Sequence, residues 1–225
     1  MHRFAIIVAG GTGNRMNSAV PKQFLLLAGK PVLMHSINAF HEYDASVKII
    51  VALPAMLFSS WQELCNLHSF KIPHTLAEGG TMRFDSVKNA LKLITADGLA
   101  AVHDGVRPIV GHGLISRAFD HALHFGNAIP AVPVTDSVRK TDLNSNSPID
   151  RSSLMLIQTP QVFSLALIRK AYQQDYQDSF TDDASTLEAS GEPISLIPGE
   201  PYNIKITYPE DLSIAEALLK FRQAL

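Results

Sequence analysis

The sequence predicts an α/β fold, a mostly parallel sheet with helices packed on both faces. Three observations carry that prediction. Short apolar runs with β-branched residues alternate along the chain with segments whose apolar residues recur at helical spacing. The strand-like runs are apolar at consecutive positions, as expected of strands buried on both sides. Small, polar and charged residues gather just after those runs, where an open parallel sheet binds its ligands.

"RFAIIVA" (3–9) is the first buried strand, and it runs directly into glycines. "PVLMHSINAF" places Val32, Leu33, Ile37 and Phe40 near helical spacing. "VKIIVAL" (47–53) is a second strand, "AMLFSSWQELCNL" a helix, and "HTLAEGG" a strand end leading into glycines. "SVKNALKLI" is a helix with Val87, Ala90, Leu91 and Ile94 on one face; "LAAVHD", "LISRAFDHAL" and "NAIPAVPV" follow as strand, helix and strand. The pattern then breaks. Residues 135–163 mix polar β-formers with "DLNSNSPIDRSS", which reads as a β-arm rather than another strand–helix–strand unit. "SLALIRKAYQQ" returns to helix. In the closing "TYPEDLSIAEALLKF", Thr207 and Glu210 stand at capping-box spacing, Pro209 sits near a first-turn position, and Leu212, Ala215 and Leu219 form an apolar stripe.

The 225 residues suit a single domain, 1–225, with the arm at about 135–163 as its appendage. Hydrophobic residues at 46% and charged residues at 18% are the mix of a globular protein. A formal net charge of −2 argues against a general nucleic-acid binder, so any anion site must be local. Cys65 is the sole cysteine, so no intrachain disulfide forms, which fits a cytoplasmic protein. The opening apolar run is too short for a signal peptide's core, and no stretch approaches the roughly 18 apolar residues of a membrane span. The nine histidines are scattered, with no H-E-x-x-H and no His/Cys ligand cluster.

Four segments follow strand ends and hold the candidate site: 10–22, 79–86, 104–107 and 133–139. The first, within "VAGGTGNRMNSAVPKQF", is not a P-loop, which needs Gly-Lys followed by Ser or Thr. It is not a dinucleotide fingerprint either: Gly11 and Gly13 supply G-x-G, but Met16 stands where the third glycine belongs. What remains is a turn over Ala9, Gly10, Gly11 and Gly13 whose amides can approach phosphates, with Arg15 as a fork donor and Lys22 as a mobile point charge. Two cations and no nearby acid suit a polyphosphate; the bland alternative is a tight turn with two solvated basic residues.

"AGGTGNRM…PKQF" resembles the signature of nucleotidyltransferases that load a nucleoside monophosphate onto a sugar or polyol phosphate. "EGGTMRFDSVKNAL", "VHDGVRP", "RSSLMLIQTPQVF" and "TDDASTLE…NIKITYPEDL" narrow the likeness. In this order and spacing the five blocks resemble the 2-C-methyl-D-erythritol 4-phosphate cytidylyltransferases of the non-mevalonate isoprenoid pathway, from Ile6 to about Ala215. The resemblance implies a Rossmann-like sheet of the nucleotide-diphospho-sugar transferase type with a protruding β-arm. It also implies cytidylyl transfer from CTP to 2-C-methyl-D-erythritol 4-phosphate, yielding the 4-diphosphocytidyl product and pyrophosphate.

Roles follow by the same resemblance. Arg15 and Lys22 would sit on the CTP phosphates and Lys205 at the α-phosphate from the other side, the three catalytic candidates. Lys205 lies between Ile204 and Ile206 and points opposite to both if the segment is extended. Gly80 and Ser86 would contact cytosine; Arg83 joins the CTP set or braces the loop by pairing with Asp85 or Asp104. Asp104, Ser137, Arg139 and Thr181 would face the polyol phosphate, and Arg107 would be a structural or substrate-binding arginine. Arg151, in the arm, would cross a homodimer interface to the partner's substrate phosphate. Mg²⁺ is expected, held chiefly by the CTP phosphates and water rather than by a protein ligand cluster. The chain departs from the family at Gly10, Gly105 and Val106, where alanines are usual. It departs also at Ser137 and Arg139, for Thr and Lys, and at Thr81, where many members are acidic.

Three rivals compete. Ribitol-5-phosphate cytidylyltransferases share most blocks, but "TDDAS", "RSSLMLIQTPQ" and "PEDL" are more like the methylerythritol group. A non-catalytic nucleotide-binding module would be expected to lack one of Arg15, Lys22 or Lys205, and all are present. An oxidoreductase is disfavoured by the missing third glycine.

Overall fold

Strand β1 (His2–Val8) lies inside the sheet, and its alternation divides the core. Ala5 and Ile7 face one apolar layer, Phe4 and Ile6 the other. The computed structural model describes residues 1–11, 20–142 and 144–223. After β1 come the small pair β2 (Leu26–Leu27) and β3 (Lys30–Pro31), then helix α1 (Val32–Tyr43), strand β4 (Lys48–Leu53), helix α2 (Phe58–Leu67), strand β5 (Thr75–Glu78) and helix α3 (Arg83–Lys92). Strand β6 (Gly98–Asp104), helix α4 (His112–Phe125) and strand β7 (Asn127–Pro133) complete the regular alternation. β5, β4, β1 and β6 are parallel neighbours, with Ile6 opposite Ile50 and Val102. One apolar layer, holding Trp61, Phe40 and Phe119, lies under α1, α2 and α4; the other, holding Phe84, Phe163 and Leu187, lies on the α3 side. α4 stops at Gly126, whose φ of +83° lets its N–H close on the Ala122 carbonyl at 2.9 Å.

The segment expected as an arm over 135–163 divides in two, which corrects its extent. Only the hairpin of β8 (Val138–Thr141) and β9 (Asn146–Ile149) stands apart, its two strands pairing with each other. Strand β10 (Met155–Ile157) pairs antiparallel with β7, and β11 (Gln161–Ser164) inserts antiparallel between β6 and β7. Val162 and Phe163 are fully buried there, each burial contributing about 1.5–3 kcal/mol. That gain draws the end of the segment into the core. The sheet is therefore mixed at this side, though parallel through its centre.

Helix α5 (Leu165–Ala171) is N-capped by Ser164 and the short helix α6 (Asp183–Ala189) by Asp182, whose carboxylate accepts the Ser185 N–H at 2.8 Å while the Asp182 N–H donates to Ser185 Oγ at 3.0 Å. Strand β12 (Leu196–Pro198) pairs parallel with β7, and helix α7 (Glu210–Gln223) closes the chain. The capping expectation shifts by one residue. Asp211, not Glu210, reaches back, accepting from the Thr207 and Tyr208 amides at 2.7 and 2.8 Å. No helix among the described residues is long and apolar enough to cross a membrane.

Candidate active site

The carboxyl ends of β1, β5 and β6 open into one cavity of about 280 Å³. Ala9, Gly10 and Gly11 line it from the end of β1, Gly80, Thr81 and Met82 from the turn after β5, and Asp104 and Val106 from the end of β6. Lys22 and Lys205 complete the wall from two further segments. Gly13 and Arg15 fall outside the described residues. Among the described residues the lining holds three cations, Lys22, Arg83 and Lys205, against the single carboxylate of Asp104, so the cavity favours an anion.

The turn after β5 is fixed by its own hydrogen bonds. Ser86 Oγ accepts the Gly80 N–H at 3.0 Å and donates to the Met82 carbonyl at 3.2 Å, while Met82 N–H reaches Asp85 Oδ2 at 3.1 Å. Gly80 has no alternative here, because a Cβ would lie 2.1 Å from the Asp85 Cβ. Opposite, Gln23 is buried and its Nε2 donates to the Ala9 carbonyl at 2.8 Å, which ties the "PKQF" segment to the end of β1. Lys22 Nζ lies 3.4 Å from the Ile206 carbonyl, so the two lysine-bearing segments touch.

Asp104 is the electrostatic centre. Lys205 Nζ lies 2.9 Å from its Oδ2, Arg107 Nε 3.4 Å from the same oxygen, and Arg83 Nε 3.6 Å from Oδ1. Burial alone would raise this carboxyl, but Arg83, Lys205 and Arg107 together hold it well below the usual carboxylate range. Asp104, expected on the polyol phosphate side, has these three cations as its charged partners within the chain. Arg83 finds Asp183 rather than Asp85: Nη1 and Nη2 donate to the Asp183 carboxylate at 2.9 and 2.7 Å, and Asp104 is its second partner. Arg107 does not line the cavity; its Nη1 donates to the Asn203 carbonyl at 2.8 Å.

Beneath Asp104 lies a buried polar layer. Thr159 Oγ1 accepts the Asp104 N–H at 3.0 Å and sits 3.1 Å from His103 Nδ1, while His103 Nε2 lies 3.0 Å from the Arg107 carbonyl. Burial pushes His103 down to about 4, so the ring is neutral, with Nε2–H donating to Arg107 and Nδ1 accepting from Thr159. Asn203 is fully buried and its Nδ2 donates to the Thr159 carbonyl at 2.7 Å. This layer, with the Ile206 N–H bonded to the Val106 carbonyl at 2.9 Å, holds residues 203–206 against β6. These residues are not a strand, yet the expected alternation holds: Ile206 is buried, Ile204 half-buried, and Lys205 faces the cavity.

Four substrate-side candidates lie apart from the cavity within this chain. Ser137 is exposed just before the β8–β9 hairpin and Arg139 is exposed on it, where Arg139 Nε bonds Asn146 Oδ1. Arg151 is exposed after β9 and donates to the Thr135 carbonyl. Thr181 is exposed just before the α6 cap. Sequence reasoning gave no role to Gln23, Thr159, Tyr172, Asp183 or Asn203. All but Tyr172 stand inside the quoted motif blocks, the only signal that could have found them.

The family described as IspD, 2-C-methyl-D-erythritol 4-phosphate cytidylyltransferase, matches residues 3–221. The chain belongs to this family. It is 47% identical over 219 residues to the 2-C-methyl-D-erythritol 4-phosphate cytidylyltransferase of Bacteroides fragilis, covering 97% of this chain and 100% of that one. The Bacteroides thetaiotaomicron protein of the same name is 48% identical over 219 residues, with the same coverage of 97% and 100%. A crystal structure of the Thermus thermophilus protein of that name matches with a TM-score of 0.77 at 31% identity, covering 98% of this chain and 100% of that chain. Membership makes the chain a nucleotidyltransferase of the cytidylyltransferase class, as its motifs implied, and the mixed, mostly parallel sheet is the family's. The ribitol alternative is not favoured, since these relatives all carry the methylerythritol name.

Proposed function

We propose that this cavity transfers the cytidylyl group of CTP to the phosphate of 2-C-methyl-D-erythritol 4-phosphate, in isoprenoid precursor biosynthesis. An oxygen of the acceptor phosphate attacks the α-phosphorus, the bond to the bridging oxygen breaks, and pyrophosphate leaves with the electron pair. Both reactants are anions, so the work is positioning and fixed positive charge. The observation that carries the reading is the convergence of Lys22 and Lys205 on one cavity from segments far apart in sequence. The amides of 9–11 and Lys22 would receive the phosphates, together with Gly13 and Arg15, and the Gly80–Ser86 turn the base. Asp104 keeps the Lys205 ammonium at the cavity wall until the α-phosphate competes for it.

Magnesium would enter on the triphosphate. Among the described residues no three His, Cys, Asp or Glu side chains converge, and Asp104 is the one carboxylate lining the cavity; this donor set suits a cation held chiefly by phosphate oxygens. Bound there, it would neutralise charge on the leaving pyrophosphate. The same reading includes a homodimer and a cytoplasmic location. For the dimer, the exposed β8–β9 hairpin and the consecutive exposed residues Met155, Leu156 and Ile157 of β10 are the support. A two-fold partner would cover them and bring Arg151 to the neighbouring site.

The test is a crystal structure with CTP and Mg²⁺. The triphosphate is expected against residues 9–11 and Lys22, the α-phosphate within hydrogen-bond reach of Lys205, and the base against Gly80 and Ser86. Nucleotide bound outside this cavity would overturn the assignment.

A further inference from the structure

Asp183 is buried in α6, and its side-chain oxygens meet three donors. Arg83 supplies two, and the Tyr172 hydroxyl donates to Oδ1 at 2.6 Å. Tyr172 is itself buried and stacks on Phe84, ring centroids 4.6 Å apart. Held end-on by Asp183, the Arg83 guanidinium meets Asp104 only at long range, Nε to Oδ1 at 3.6 Å, beyond hydrogen-bond distance. Asp104 is thereby left with Oδ2 turned to Lys205 at 2.9 Å. A bidentate arginine–carboxylate pair has a preferred planar geometry, so the carboxylate that holds the fork decides where the guanidinium sits.

We propose that Asp183, steadied by Tyr172, is a positioning residue for the transfer: it keeps Arg83 from closing bidentate on Asp104 and so keeps Lys205 in place at the cavity wall. The proposal rests on the assignment of Lys205 to the α-phosphate. Without the Asp183 charge, the nearest carboxylate for the half-buried Arg83 fork is Asp104. Arg83 then competes with Lys205 for it, and the ammonium leaves its position. Burial by itself would lower the Arg83 guanidinium; Asp183 first and Asp104 second reverse this, which is the same dependence seen in charge.

Asp183→Asn is expected to lower kcat about 10- to 100-fold, the cost of a misplaced catalytic group. KM for CTP should change less than about threefold, because the phosphate-holding turn and Lys22 are untouched. A role confined to packing α6 would instead lower the active fraction and the melting temperature without a specific dependence on Arg83. The double variant Arg83→Gln/Asp183→Asn separates the two: acting through Arg83, it should be no slower than the slower single variant. A loss equal to the product of the single losses overturns the proposal. Should Asp183→Asn fail to fold, Tyr172→Phe decides, since it keeps the ring stack and removes one donor; kcat is expected to fall about threefold or more, and a kcat within twofold of wild type overturns the proposal. Lys205→Ala is measured alongside. If it is inactive while folded Asp183→Asn and Tyr172→Phe are normal, only the positioning role falls; if Lys205→Ala is normal, the assignment of Lys205 falls and this proposal with it.

Discussion

Lys205→Ala is expected to lower kcat by about 10²–10³-fold, the usual loss for one preorganised donor to developing charge. The KM for CTP should rise by only about threefold, because an interaction made chiefly in the transition state is removed. The structure explains why the fold should survive. The Lys205 side chain is 41% exposed, and Asp104 keeps Arg83 and Arg107 as partners after the change. The segment's own anchors, Asn203 and Ile206, do not involve the lysine side chain. Steady-state kinetics with a melting curve checks this. A folded variant with near-normal kcat would make Lys205 a solvated lysine beside a structural acid.

Mixing Arg151→Ala with Lys205→Ala subunits should restore activity that neither variant has alone. In the proposed dimer each site uses Lys205 of one chain and Arg151 of the other. A mixed dimer then has one intact site and one carrying both defects. Random exchange of equal amounts makes about half the dimers mixed, so about one quarter of all sites recover. Among the described residues of its own chain the Arg151 side chain only caps the Thr135 carbonyl at the base of the hairpin, which gives no reason for a large loss. A mixture as inactive as its parents, with exchange demonstrated, would confine Arg151 to its own chain or remove it from the site.

The central sheet was legible because its strands are long and apolar on both faces, as at 4–8 and 49–53. The elements that escaped are those with little local signal. β10 and β11 are short, and Pro160 interrupts the run that holds them, so they read as part of the arm although Phe163 is core. α6 has only seven residues and β12 three. In the site, the glycine turns and the lysines were visible because phosphate chemistry dictates residue type locally. The partners of Asp104 were not. Arg83 and Asp183 are 100 positions apart, and no pattern within either segment announces that they meet. Two carboxylates were foreseen for Arg83, Asp85 and Asp104. The one that takes its fork is instead presented by a helix the sequence did not suggest.

Pyrophosphate release by the purified chain tests the functional account most directly. With Mg²⁺ and CTP, release should depend on added 2-C-methyl-D-erythritol 4-phosphate and be negligible with CTP alone. Ribitol 5-phosphate should be a far poorer acceptor. Faster turnover of ribitol 5-phosphate, or no pyrophosphate with either acceptor, would contradict the account.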